Sequence, residues 1–180
     1  MLKKIIKPYQ GLSKEIWFMA LTMLINRAGA MVVPFLSLYL TNFLEFSLEN
    51  VGWIMSCYGF GSVAGVFIGG KLADKVGYYK VMYMSLLGTG LVFFAIQFIT
   101  EFYSLCIGVF TLTIVADMFR PAVWVALDDY SEEDNRTRSV TLIRLAINLG
   151  WSMGPAIGGL LITYMSYQSL FWVDGLTCII

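Results

Sequence analysis

Long apolar runs separated by short polar joints dominate the chain. Residues 51–70 and 81–100 contain no charged side chain, and between them lies the charged, glycine-bracketed stretch GKLADKVGYYK, residues 70–80. At about 1.5 Å per helical residue, such runs are long enough to cross roughly 30 Å of hydrocarbon. A joint carrying Lys71, Asp74, Lys75 and Lys80 between two membrane-length helices must lie at a membrane surface. The pattern predicts spans near residues 16–40, 51–70, 81–100, 102–127 and 139–165, and a sixth that opens near 169. Residues 169–180 supply about half of what a crossing requires, which reads as an incomplete sixth helix and the chain as a fragment. The expectation is an all-α, polytopic membrane helical bundle forming one unit over residues 1–180.

Composition changes little but agrees. Hydrophobic residues make up 58% of the chain, charged ones only 13%, aromatics 16%, and the mean hydropathy is +0.74. A soluble domain of this size would carry far more Lys and Glu on its surface. A net charge of +0 is uninformative; the placement of the charges decides orientation. Lys3, Lys4, Lys7 and Lys14 precede the first span, Lys71, Lys75 and Lys80 follow the second, and Arg136 and Arg138 follow the fourth, while the first, third and fifth joints have no Lys or Arg. The positive-inside rule therefore places the N-terminus and the 70–80 and 128–138 joints in the cytoplasm, in a cell-membrane protein. The first run is too long for a cleaved signal peptide. Cys57, Cys106 and Cys178 fall in apolar runs without metal or pairing spacing and are read as reduced core thiols. Histidine is absent and no HExxH or GxSxG pattern occurs, so neither a metal site nor an enzyme is expected. No cofactor and no nucleic-acid partner is indicated either.

Two further features matter: the pair Asp117 and Arg120 inside the fourth span, and a glycine-rich stretch inside the fifth. Gly150, Gly154 and Gly158 lie four apart in LGWSMGPAIGG, residues 149–159, on one helix face where a neighbouring backbone can come close, and Pro155 can bend the same span. Together with the 70–80 joint, they make the chain resemble the N-terminal six-helix half of a major facilitator superfamily transporter, nearest its drug:proton antiporter, or multidrug efflux, branch. Gly70, Leu72, Ala73, Asp74, Lys75 and Gly77 match the superfamily's signature between spans two and three. The departures are Tyr78 and Tyr79, which stand where basic residues are usual, with Lys80 one place late. Gly150, Gly154, Pro155, Gly158 and Gly159 match the span-five motif of its proton-coupled exporters. The resemblance implies a 3+3 inverted repeat with a truncated sixth helix, a conformational latch built on Gly70, Asp74, Lys75, Gly77 and Lys80, and a C-terminal half that this chain lacks.

Four charges lie well inside apolar segments: Arg27, Asp117, Arg120 and Arg144. Each is costly in lipid, by at least about 2.5 kcal/mol near the centre, so they are expected to face a wet cavity or a partner. Asp117 and Arg120, three apart on one helix face, are placed to pair. Arg27 and Asp117 both reach a depth of roughly 15 Å at about 1.5 Å per residue, where they can meet across the bundle. Arg144, near the start of span five, is expected either as a headgroup anchor or as a cavity residue, and Asp174 near the outer mouth. Asn26, Tyr39, Tyr58, Asn148 and Trp151 are candidate cavity walls. The function expected is secondary active transport: efflux of small amphipathic compounds, driven by a proton gradient and working by alternating access, with substrate, protons and the bilayer as partners. A proton-coupled importer of peptides or sugars, and a non-transporting receptor or scaffold, are the competing readings.

Overall fold

The computed structural model describes residue 9 and residues 11–179. Helix α1 spans Lys14–Ala28 and α2 spans Val32–Leu38, followed by a π-helical turn over Tyr39–Phe43. Helix α3 is Leu48–Val76, α4 Tyr78–Ile96, α5 Phe102–Asp117, α6 Phe119–Tyr130, α7 Arg136–Tyr164 and α8 Tyr167–Ile179. Five of the resulting spans are long and apolar enough to cross a membrane: residues 14–43, 48–76, 78–96, 102–130 and 136–164. The sixth, α8, has 13 described residues.

Two expectations about element boundaries are corrected. The charged stretch 70–80 is not a loop: α3 runs through Lys71, Asp74 and Lys75 to Val76, and the reversal is made by Gly77 alone. Gly77 has φ +89°, a backbone angle that L side chains rarely adopt, so one glycine does the work of a whole turn. The first and fourth spans, read as single helices, are each broken near mid-depth. Helix α1 ends at Ala28, with Gly29 and Ala30 outside any helix, and α5 ends at Asp117 with Met118 between it and α6. A proline lies four residues beyond each break: Pro34 after Ala30, and Pro121 after Asp117. Having no N–H, each leaves the carbonyl four positions back without its helical partner, which is where the helices part.

The spans pair in an exchanged pattern. The second packs along the fourth, the first along the fifth, and the third along the sixth. If the chain is divided into two triplets of spans, the broken first helix of each triplet lies against the glycine-striped second helix of the other. A Cβ on Gly61, Gly65 or Gly69 of α3 would fall within 2.6 Å of the backbone or side chain of Phe110, Thr113, Ile114 or Met118 in the fourth span. A Cβ on Gly150 would fall 2.5 Å from Arg27 Cβ, and one on Gly158 2.8 Å from the Phe35 ring. Removing side chains from one face of each span lets main chain approach main chain, which is how helices associate where lipid offers no hydrophobic drive.

Apolar side chains populate the outside as well as the core. Phe18, Phe60, Val63, Phe67, Leu91, Phe98, Ile107 and Leu160 are all exposed around the bundle, a surface suited to acyl chains. Lys71, near the C-terminal end of α3, lies over the Phe67 ring with Nζ 4.3 Å from its centroid, as a snorkelling lysine does. Two apolar clusters fill the interior. One joins Val32, Leu36 and Leu40 to Ile54, Val109, Leu170 and Phe171, the other joins Ile16, Met19 and Met23 to Phe119, Leu127 and Ile143. A cavity lined by Phe93 and Leu112 of the first and Phe119 of the second lies where they meet.

At the end of the bundle that carries the α3–α4 turn, Tyr78 donates its hydroxyl to Asp129 Oδ2 at 2.6 Å, and Arg136 pairs with Asp128 at 2.7 Å. The tyrosine that departs from the signature thus ties the α3–α4 turn to the end of the fourth span. This contact is exposed, so Tyr78→Phe is expected to cost under about 1 kcal/mol. Thermal unfolding in detergent checks it, a small fall in midpoint being the expected result.

Candidate functional site

The breaks in the first and fourth spans open onto one cavity of about 80 Å³, enough for several waters. Arg27 and Asp117 are its principal charges, and they occupy matching places, Arg27 one residue before the end of α1 and Asp117 at the end of α5. Arg120, Asn26, Tyr58, Trp151 and Asp174 also line it.

Asp117 is buried and fully engaged. Its Oδ1 lies 2.8 Å from Arg120 Nε, and its Oδ2 accepts a hydrogen bond from the Ser62 hydroxyl of α3. The expected Asp117–Arg120 pair therefore forms, but across the Met118 break rather than along one helix. Such a pair links the two segments of the fourth span through side chains where the backbone ladder is interrupted. Arg27 shares the cavity but makes no ion pair with Asp117.

Asp174 is the residue whose role the sequence did not reveal. Rather than sitting at an outer mouth, it is 1% exposed and caps the break in the first span. Met31 N–H donates to both of its oxygens, at 2.9 and 3.0 Å, and Val32 N–H to Oδ2 at 2.8 Å. These amides open α2, where the Met31 N–H also reaches the Gly29 carbonyl at 2.9 Å, and a carboxylate at that end is favoured by the helix dipole. Nearby, Gly29 lets Thr177 of α8 approach so closely that a Cβ there would lie 2.0 Å from its hydroxyl oxygen. On the third span, the Ser85 hydroxyl donates to the Val115 carbonyl just below the other break. Each broken span is thus held by a polar side chain from the last helix of the opposite triplet. The signal that could have found this was Pro34 and Pro121 in corresponding spans, since interrupted helices mark sites in transporter folds.

The remaining candidates are distributed more widely. Arg144 is exposed on α7 and lies apart from the cavity lining, as does Asn148, and Tyr39 belongs to the first apolar cluster. Gly150, Gly154 and Gly158 are buried against the first span on both sides of its break, Gly154 beside the Arg27 and Ala28 carbonyls, whereas Gly159 has only the Phe35 ring tip at 3.8 Å. Pro155 is accommodated inside α7. Gly70, Asp74, Lys75, Gly77 and Lys80 sit at and around the α3–α4 turn, with Asp74 exposed and in no ion pair among the described residues. Cys178 accepts a long contact from Asn26 Nδ2 at 3.6 Å, and no cluster of potential metal ligands occurs among the described residues.

Comparison with known proteins agrees with this architecture. A sequence profile of the Major Facilitator Superfamily matches residues 16–180. The chain is 27% identical over 154 residues to the uncharacterized MFS-type transporter YqjV of Bacillus subtilis, covering 85% of the chain and 38% of that protein. It is 25% identical to a multi-drug resistance efflux pump PmrA homolog of Lactococcus lactis, over 87% of the chain and 40% of the relative. It is 30% identical to the class H tetracycline resistance protein of Pasteurella multocida, over 83% and 38%. The chain spans about two fifths of the length of these relatives. With a profile match over nearly its whole length and a multi-pass helical fold built around two interrupted spans, the chain belongs to the Major Facilitator Superfamily of membrane transporters.

Proposed function

We propose that this chain is the N-terminal membrane half of a secondary transporter that exports small amphipathic compounds in exchange for protons. The observation that carries the reading is the Asp117–Arg120 pair bridging a break in the fourth span, opposite Arg27 at a break in the first, within one polar cavity. Buried charge is expensive in a membrane and is kept where it does work. Two relatives that bear the names of an efflux pump and a tetracycline resistance protein support export.

In this mechanism the ionised Asp117 holds Arg120 and accepts from Ser62, which ties α5, α6 and α3 together. Proton uptake removes the charge that Arg120 is paired with and releases α6 to move relative to α5. Loss of the proton to the other side restores the pair. The substrate path lies between this half and a second one, and the N-terminus is cytoplasmic. Asp74, exposed at the cytoplasmic turn, is positioned to reach that second half and latch the inner face closed.

The test is Asp117→Asn in the intact transporter, assayed in inside-out vesicles by uptake of the amphipathic dye 8-anilinonaphthalene-1-sulfonate driven by an imposed pH gradient. The variant keeps the shape and a hydrogen-bonding oxygen but not the titrating charge. Gradient-driven uptake is expected to fall on the order of a hundredfold, the lower end of what a positioned proton-transfer group contributes. Unchanged uptake would remove the proton role.

A further inference from the structure

The charges around the cavity do not balance once their partners are counted. Asp117 has both oxygens occupied, by Arg120 and by Ser62. Asp174 is offset locally by the Met31 and Val32 amides at the start of α2. Arg27 has neither an ion pair nor a side-chain hydrogen bond among the described residues. It lines the cavity and also an adjoining recess, shared with Arg120, Trp124, Ile147 and Trp151. The Gly150 backbone closes against its Cβ, which fixes where the side chain leaves α1. The result is one guanidinium with no ion-pair partner among the described residues, next to a second whose side chain is 49% exposed.

An uncompensated guanidinium at mid-depth is costly unless something neutralises it during the cycle. Its planar fork matches a carboxylate or phenolate, and the flat faces of Trp151 and Tyr58 at the same cavity suit an aromatic body. A cationic ligand would instead meet two arginines with the nearby carboxylates already engaged. We propose that the site takes an aromatic organic anion, its acidic group docking on Arg27 beside Arg120 and its ring lying against Trp151 and Tyr58. This assignment rests on reading the cavity as the transport site, and it names the substrate class that the site selects.

The test uses three probes with one bicyclic body: 2-naphthoate, 2-naphthamide and 2-naphthylmethylammonium. Binding to the intact transporter in lipid nanodiscs is measured by equilibrium dialysis without any gradient. Naphthoate is expected to bind on the order of tenfold more tightly than either other probe, the scale of one added charge-assisted contact. Arg27→Gln is expected to reduce that preference to within about twofold, whereas Arg27→Lys keeps part of it through a point charge without the fork. Arg136→Gln, at the cytoplasmic surface, serves as the charge control and is expected to leave the preference intact. If Arg27→Gln does not fold, Arg27→Lys decides the matter: a naphthoate preference smaller than that of the wild type is expected, and one equal to it overturns the proposal. Equal binding of the three probes, preference for the ammonium, or an anion preference that survives Arg27→Gln overturns the proposal. An acidic residue from another part of the transporter pairing with Arg27 would appear as the first of these outcomes. Because no gradient is applied, the proton role fails separately: Asp117→Asn without effect on driven uptake leaves the anion preference standing, and the reverse holds equally.

Discussion

Replacing Asp174 by alanine is expected to loosen the first span at its break and to lower the stability of the bundle by about 3 kcal/mol. The number comes mainly from the buried Val32 amide, which would lose its acceptor at roughly 1–3 kcal/mol, with a lesser share from Met31, whose N–H keeps the Gly29 carbonyl at 2.9 Å. The surroundings cannot substitute, because the residue is 1% exposed and Thr177 is already packed against Gly29. Asp174→Asn is expected to recover part of the loss. Its oxygen can take the Oδ2 position, where both amides converge, but its NH2 then faces the Met31 N–H across a contact that is 2.9 Å in the native pair. Asp174→Glu adds a methylene to a filled space and is expected to fare no better than Asn. Hydrogen exchange at Met31 and Val32, read alongside the thermal midpoint in detergent, separates local from global effects. Unaltered protection of these amides in Asp174→Ala, with an unchanged midpoint, would show that the cap is not needed.

How much of this was legible in the sequence depends on the kind of signal. Spans were readable because a bilayer demands about 20 apolar residues at a stretch and positive charge at one set of ends. The glycine stripe of the fifth span was readable because a four-residue period places small residues on one helix face, and α7 presents Gly150, Gly154 and Gly158 to the first span as that period requires. The breaks were not read, since Gly29, Pro34 and Pro121 are each tolerated in ordinary membrane helices and only their spacing from the charges singles them out. For the same reason the Asp117–Arg120 pair was expected from an uninterrupted helix when it bridges an interruption. Asp174 was misplaced because its partners are main-chain amides 143 and 142 residues earlier, and amides leave no mark on a sequence. The 70–80 stretch was taken for a loop on its charges. Helix-forming residues carried α3 out to Val76, and a single positive-φ glycine sufficed to reverse the chain.

The glycines of the span-five motif are expected to differ sharply in their tolerance of alanine, in an order set by contact distance rather than by membership of the motif. Gly150→Ala places a methyl group 2.5 Å from Arg27 Cβ and 2.9 Å from the Ala28 amide, so α7 and α1 must separate. Overpacking of this kind costs about 1–3 kcal/mol, and here it also displaces Arg27 from the cavity, so binding and uptake should fall with stability. Gly158→Ala meets the Phe35 ring at 2.8 Å, an aromatic edge that can swing, and should cost less. Gly154→Ala meets main-chain oxygens of Ala28 and Arg27 at 3.3 Å, so a shift of a few tenths of an ångström accommodates it, with a loss of under about 1 kcal/mol. Gly159→Ala has its nearest neighbour at 3.8 Å and should gain up to about 1 kcal/mol from helix propensity. Gly69→Ala of α3, whose methyl would lie 2.5 Å from Met118 Cα and oxygen, is the counterpart of Gly150 at the other break and should be as severe. Thermal midpoints for the five variants rank them directly. If Gly159 proves as sensitive as Gly150, the motif acts through something other than close packing against the first span. If Gly69 and Gly150 alone abolish uptake, the two interrupted helices depend on the same kind of main-chain contact, each from the opposite triplet.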